Sequence, residues 1–188
     1  MHGTEAPSSW VTRFAHLVAP GANVLDVACG GGRHAAFFAA RGCRVDAVDR
    51  DPGVAEGLAG LARVRLLVAD IESGPWPYAG RRFDAVVVTN YLHRPLLPRL
   101  REAVADRGVL LYETFARGNE RFGKPSNPAF LLQPGELLGA FAEGFSVVAY
   151  EDGELVLPRP ARVQRLCAVR GEARGIALFP DGAHGAHE

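Results

Sequence analysis

Residues 24–32 read Val-Leu-Asp-Val-Ala-Cys-Gly-Gly-Gly, and few stretches narrow the choice of fold so far. Val24, Leu25 and Val27 make a short buried strand, which carries Asp26 toward its carboxyl end. The chain then breaks at Gly30, Gly31 and Gly32, and a helix-compatible run follows from Arg33 to Arg41. Glycines in such a strand-to-helix turn accept positive φ and let the backbone approach a ligand closely. A carboxylate among apolar strand residues is costly to bury unless a cation or hydrogen-bond donor answers it. Asp26 is therefore expected to hold a cation where the glycine loop holds a nucleotide-like ligand.

The rest of the chain repeats the strand–helix alternation. Trp10 to Leu17 has the apolar spacing of an amphipathic lead helix. Strands are predicted over 23–28, 44–49, 64–69, 83–89 and 108–112. Helices are predicted over 34–41, from about Pro52, over 96–104 and over 135–142. Phe83 to Thr89 is continuously apolar, as a central strand covered on both faces must be. Phe145 to Tyr150 and Arg162 to Val169 read as a closing hairpin that turns at Glu151–Glu154. The predicted fold is α/β: a Rossmann-like doubly wound sheet, mostly parallel with an antiparallel C-terminal strand, and helices on both faces. One domain is expected over 1–188, with its core at about 10–170 and flexible ends at 1–9 and 175–188.

The glycines alone leave the ligand open. Gly30-x-Gly32-x-x-Ala35 satisfies the dinucleotide fingerprint, and the same turn also occurs with no ligand. Val45 to Asp49 ends a second strand in an acid roughly 20 residues on, where a carboxylate accepts both ribose hydroxyls of either ligand. A third strand ends in Asp70-Ile71. With Asp26, Ala28, Gly30 and Gly32, the turn resembles motif I of the class I S-adenosylmethionine-dependent methyltransferases, Asp-x-Gly/Ala-x-Gly-x-Gly. That resemblance implies that Asp70 accepts from the adenine amino group and that the Ile71 N–H donates to the ring. The donor's methionine half carries an ammonium and a sulfonium, which suit Asp26, whereas a pyrophosphate would be repelled by it. Gly-Gly-Gly-Arg-His at 30–34 is most similar to the small tellurite-resistance-like methyltransferases. Arg33 then either pairs with the donor's carboxylate at a helix start or faces solvent. Arg50, beside Asp49, and Asn90, at the end of the fourth strand, complete the candidate cofactor set.

Composition excludes several classes. The 21 basic and 21 acidic residues cancel, so a broad electrostatic grip on nucleic acid is not indicated. No apolar run has the length of a membrane span, and the first residues lack a signal-peptide layout. Cys29, Cys43 and Cys167 are odd in number and have no metal-ligand spacing, which implies a reduced, cytoplasmic setting and no metal site.

The acceptor is expected beyond the carboxyl ends of strands four and five, near Thr89–Arg94 and Glu113–Phe115. The irregular stretch from Ala116 to Gln133 reads as a lid. His93 is the candidate base if the acceptor must lose a proton, and Tyr91 is a candidate to order it. Asn90-Tyr91-Leu92-His93 is not the Asn/Asp-Pro-Pro-Tyr/Phe of many nitrogen methyltransferases, and no cysteine-centred RNA motif is present. The expectation is methyl transfer from S-adenosylmethionine to a small molecule. An RNA-modifying enzyme using the arginines at 94–107 and 117–121, and a donor-binding protein without turnover, are the alternatives.

Overall fold

A computed structural model describes residues 6–173, 175 and 176. The elements run α1 (Ser9–Phe14), β1 (Asn23–Val27), α2 (Arg33–Ala40), β2 (Arg44–Asp49), α3 (Val54–Leu58), β3 (Val64–Val68), β4 (Phe83–Thr89), α4 (Leu97–Ala103), β5 (Val104–Phe115), α5 (Glu136–Ala140), β6 (Phe145–Leu155) and β7 (Ala161–Arg170). All seven strands form one sheet in the order β3-β2-β1-β4-β5-β7-β6. The first five are parallel, and β7 lies antiparallel between β5 and β6. The register places Val27 beside Val48 and Val88, and Thr89 beside Glu113. Every parallel strand therefore ends at the same edge of the sheet.

The two faces of the sheet carry separate cores, because successive strand side chains point to opposite sides. Leu25, Val27, Val86, Val88 and Leu110 pack under α4 and α5 with Leu100, Leu137 and Phe141. Val24, Val45, Ala85, Val87 and Leu111 pack under α1 and α2 with Trp10, Phe14 and Phe38. Asp26 alternates with Leu25 and Val27, so it falls on this second face, beneath α2. Trp10 donates its Nε1–H to the Leu166 carbonyl at 3.2 Å and ties α1 to β7.

Several element boundaries differ from the sequence reading. The β6–β7 turn lies at 156–160, not at Glu151–Glu154. Those acidic residues stay in the strand because arginines face them: Glu151 is paired with Arg165 and Glu154 with Arg162, and Asp152 makes an ion pair with Arg162 at 2.5 Å. Opposite charges across a ladder stabilise it. The prolines at 158 and 160, which cannot donate to a ladder, fall in the turn instead. Strand β5 begins at Val104 rather than 108, through a register irregularity opposite Phe83 to Ala85 that absorbs the polar Ala105-Asp106-Arg107. Helix α3 begins at Val54, two residues past Pro52.

Ser8, in the segment expected to be flexible, caps α1 and is hydrogen-bonded to two residues distant in sequence. Residues 1–5 and 177–188 lie outside the described residues. Among the described residues no helix is long and apolar enough to cross a membrane, and Cys29, Cys43 and Cys167 are buried free thiols.

Candidate active site

The loop after β1 takes its shape from left-handed backbone. Ala28, Gly30 and Gly32 have φ of 52°, 50° and 75°. Gly32 caps α2, and a Cβ there would lie 2.3 Å from Leu58 Cδ2, so only glycine fits. A Cβ on Gly30 would meet nothing within 4 Å, which leaves that stretch of backbone open to a ligand. The loop is anchored from β2: Asp49 accepts the Gly30 N–H on Oδ2 and the Asp51 N–H on Oδ1, each at 2.9 Å.

At this edge a cavity of about 370 Å³ brings together Ala28, Asp49, Arg50, Asp70, Ile71, Asn90 and Tyr91. Its size falls in the usual small-ligand range of ~300–1,000 Å³. Thr114 and Phe115 join from β5, while Pro125 and Phe130 come from the irregular stretch after it. Glu72 also lines it and had no signal in the sequence. Asp70 accepts from the Glu72 and Ser73 N–H groups at 2.9 and 3.2 Å and from Ser73 Oγ at 2.5 Å. The Ser73 hydroxyl above all, with those amides, holds its carboxyl below the usual range. Part of its acceptor capacity remains, since a carboxylate offers about four lone-pair sites.

Asp26 is where the structure departs most from the expectation. It is only 2 % exposed and lies outside the cavity lining. One carboxyl oxygen has no partner, and a hydrogen bond from the Ala35 N–H supplies its main compensation. Burial pushes its pKa up to about 8, against the opposing pull of Ala35 and Arg33. The ligand-free protein therefore holds a largely neutral acid at pH 7, and the charge repulsion that a pyrophosphate would meet largely disappears.

A linked prediction follows for Asp26. The native state keeps the Asp26 proton up to about pH 8, whereas the unfolded chain releases it near 3.8, so between these values the native state holds one proton more than the unfolded chain. Stability falls across it, because the folded state binds the extra proton. Asp26→Asn does not titrate, so its thermal stability relative to the parent should improve between pH 5 and pH 8. The expected gain is about 1–3 kcal/mol, below the roughly 4 kcal/mol that 1.36 kcal/mol per unit would give over three pH units at an unrelaxed site. An equal difference at both pH values would show that Asp26 is ionised throughout.

The structure separates the two candidate catalytic residues. Tyr91 reaches the cavity with a buried hydroxyl, and desolvation, reinforced by Glu72, holds its phenol far above the ordinary range. It is a hydrogen-bond donor at neutral pH, not a base. His93 does not line the cavity; it is half-buried, its Nδ1 3.9 Å from Glu72 Oε2. Arg33 lies elsewhere as well, in the lining of a second cavity, with its Nη1 3.4 Å from the Ala6 carbonyl.

The histidine after Arg33 is a structural tie. His34 is buried; its Nε2 accepts the Ser8 N–H at 3.1 Å, and Nδ1–H then faces Thr89 Oγ1 at 3.4 Å. Burial depresses its pKa to about 3, so it stays neutral. Next to it Ser8 Oγ donates to Glu113 at 2.9 Å, and Glu113 pairs with Arg165 at 2.6 Å. This network fastens the start of the chain over the ends of β4 and β5.

Residues 24–108 match a family model described as a methyltransferase domain. Comparison with curated proteins gives no match. Among solved structures, the chain is similar to TehB from Haemophilus influenzae, with a TM-score of 0.76 and 17 % identity over 91 % of this chain and 64 % of that one. The chain thus spans about 64 % of that protein's length. A TehB-like SAM-dependent methyltransferase from Corynebacterium glutamicum matches with a TM-score of 0.62 and 16 % identity over 87 % of each chain. The Burkholderia thailandensis 1,6-didemethyltoxoflavin-N1-methyltransferase, with bound 1,6-didemethyltoxoflavin and S-adenosylhomocysteine, matches with a TM-score of 0.63 and 23 % identity over 87 % of this chain and 76 % of that one. The matched stretch contains the glycine turn and three successive strand ends, and the chain around it has the fold of the class I S-adenosylmethionine-dependent methyltransferases and resembles TehB.

Proposed function

We propose that this protein transfers a methyl group from S-adenosylmethionine to a small-molecule acceptor. The observation that carries this reading is the convergence of Ala28 from the glycine turn, Asp49, which holds that turn through the Gly30 N–H, and Asp70-Ile71 on one cavity of ligand size. The donor set fits the group: Asp49 suits ribose hydroxyls, and Asp70 with Ile71 suits the adenine edge. Asp26, buried beneath α2 and outside the cavity lining, is not part of this donor set.

Bound there, the donor supplies an electrophilic methyl on sulfur, and the carbon–sulfur electron pair stays with sulfur as the acceptor's lone pair forms the new bond. The chain's contribution is alignment, worth up to ~7–11 kcal/mol when the approach is well oriented. Tyr91 orients by donating a hydrogen bond. Phe130 and Pro125 cover the cavity and limit water. Neither candidate residue supplies a ready base in the cavity, which favours an acceptor that reacts without losing a proton first. Three free thiols fit a reducing compartment such as the cytoplasm.

Calorimetric titration tests the reading. S-adenosylmethionine and S-adenosylhomocysteine should both bind with micromolar or tighter affinity, and NADH should give no heat. Binding of NADH with neither sulfur nucleoside would replace this assignment with a dinucleotide site.

A further inference from the structure

We infer that a second cavity, next to the first, receives the methyl acceptor, and that this acceptor is an amphipathic small-molecule anion anchored by Arg159. The inference rests on the methyltransferase reading and names the substrate class for it. The second cavity measures about 420 Å³, room for a small molecule, and shares Asn90 and Phe115 with the first. A group held in one cavity and a nucleophile held in the other therefore meet at Asn90.

The backbone at that junction supports the assignment. Asn90 has φ of 56°, a left-handed conformation uncommon outside glycine. It is held there by its N–H, which donates to the Glu113 carbonyl at 2.9 Å. Strained backbone that the surroundings over-determine clusters at ligand sites. Here it turns the chain between the two cavities at the end of the fourth strand.

The lining states the chemistry of the ligand. Leu155, Pro158 and Val163 supply apolar walls on the β6–β7 side. Among the described residues Glu113 is the one acid in the lining, and it is ion-paired with Arg165 at 2.6 Å. Arg159 adds a positive charge to the lining from the β6–β7 turn. Arg159 is exposed on the β6–β7 turn and makes no ion pair or hydrogen bond among the described residues. A cation would be repelled by Arg159, and a neutral ligand would leave its guanidinium without a charged partner. A planar anion such as a carboxylate matches the guanidinium fork, and an apolar body fills the remainder.

The test uses the full chain saturated with S-adenosylhomocysteine and three probes of one shape: phenylacetate, phenylacetamide and phenethylamine. Phenylacetate should shift the backbone amide resonances of residues 8–9, 90, 155–157, 159 and 161–163, with the amide and the amine bound about tenfold more weakly. Arg159→Gln should weaken phenylacetate by about the same factor and Arg159→Lys should recover most of it, as expected for one charge-assisted contact. Equal binding of the three probes, shifts confined to other residues, or no effect of Arg159→Gln would overturn the inference. Failure of S-adenosylhomocysteine itself to bind would instead overturn the proposed function, so the two outcomes are separable.

Discussion

Replacing Asp49 by Ala is expected to weaken S-adenosylmethionine binding by about 2–4 kcal/mol, roughly 30- to 1,000-fold, while the chain stays folded. A hydrogen bond to a charged acceptor contributes about 1.5–3 kcal/mol, and two ribose hydroxyls would each lose one, with water compensating in part. A second loss comes from the protein itself. Asp49 holds the Gly30 N–H at 2.9 Å, so its removal also releases the loop that shapes the cavity. The side chain is only half-buried, and the backbone pairing of this residue with Val68 of β3 does not depend on it, which is why the fold should survive. Calorimetry on the variant, with circular dichroism as the control, measures this. An unchanged dissociation constant would remove Asp49 from the site.

Gly32→Ala should destabilise the protein by about 2–5 kcal/mol. The left-handed φ of 75° costs an L-residue about 1–2 kcal/mol, and forcing a methyl into a packed site costs about 1–3 more. The collision is with Leu58, which is itself buried and closes α3 over the glycine turn. Leu58→Ala also destabilises, but it opens the space that the new methyl needs. The double variant should therefore lose clearly less than the sum of the two single losses in urea unfolding. Simple additivity would mean that the backbone conformation accounts for the whole effect, with no steric part.

Much of the site was readable because its signals are local. The spacing of apolar residues marks each strand, and the residue that follows a strand's last apolar position sits at the carboxyl edge whatever the rest of the chain does. Asp49, Asp70 and Asn90 were placed in this way, and all three line the first cavity. Tyr91 lines it as well. His93, two residues on, does not line it, since the chain has by then left the strand and begun the short turn that leads to α4.

Asp26 shows where local reading stops. Its place at a strand end was legible, but whether its carboxyl faces a ligand or a helix depends on what covers that face of the sheet. Helix α2 and the core around Trp10 and Phe38 cover it, and their low polarity turns an expected anion into a neutral acid. The β6–β7 hairpin failed for a related reason. Glu151-Asp-Gly-Glu154 has the composition of a turn, and only the arginines on the returning strand, unseen as neighbours in the sequence, keep it extended.

The sequence by itself thus determined the strand–glycine–helix turn, the alternation that makes the sheet parallel, and the acids at successive strand ends, because each depends on residues within a few positions. Tertiary structure alone decided the charge of Asp26, the neutral state of His34 and the whole second cavity. That cavity joins Ser8 at one end of the chain to Arg159 and Arg165 near the other, across the same span as the 156-residue contact between Trp10 and Leu166. No local period encodes such a meeting; it arises because β7 inserts antiparallel beside β5 and brings the last hairpin over the first helix.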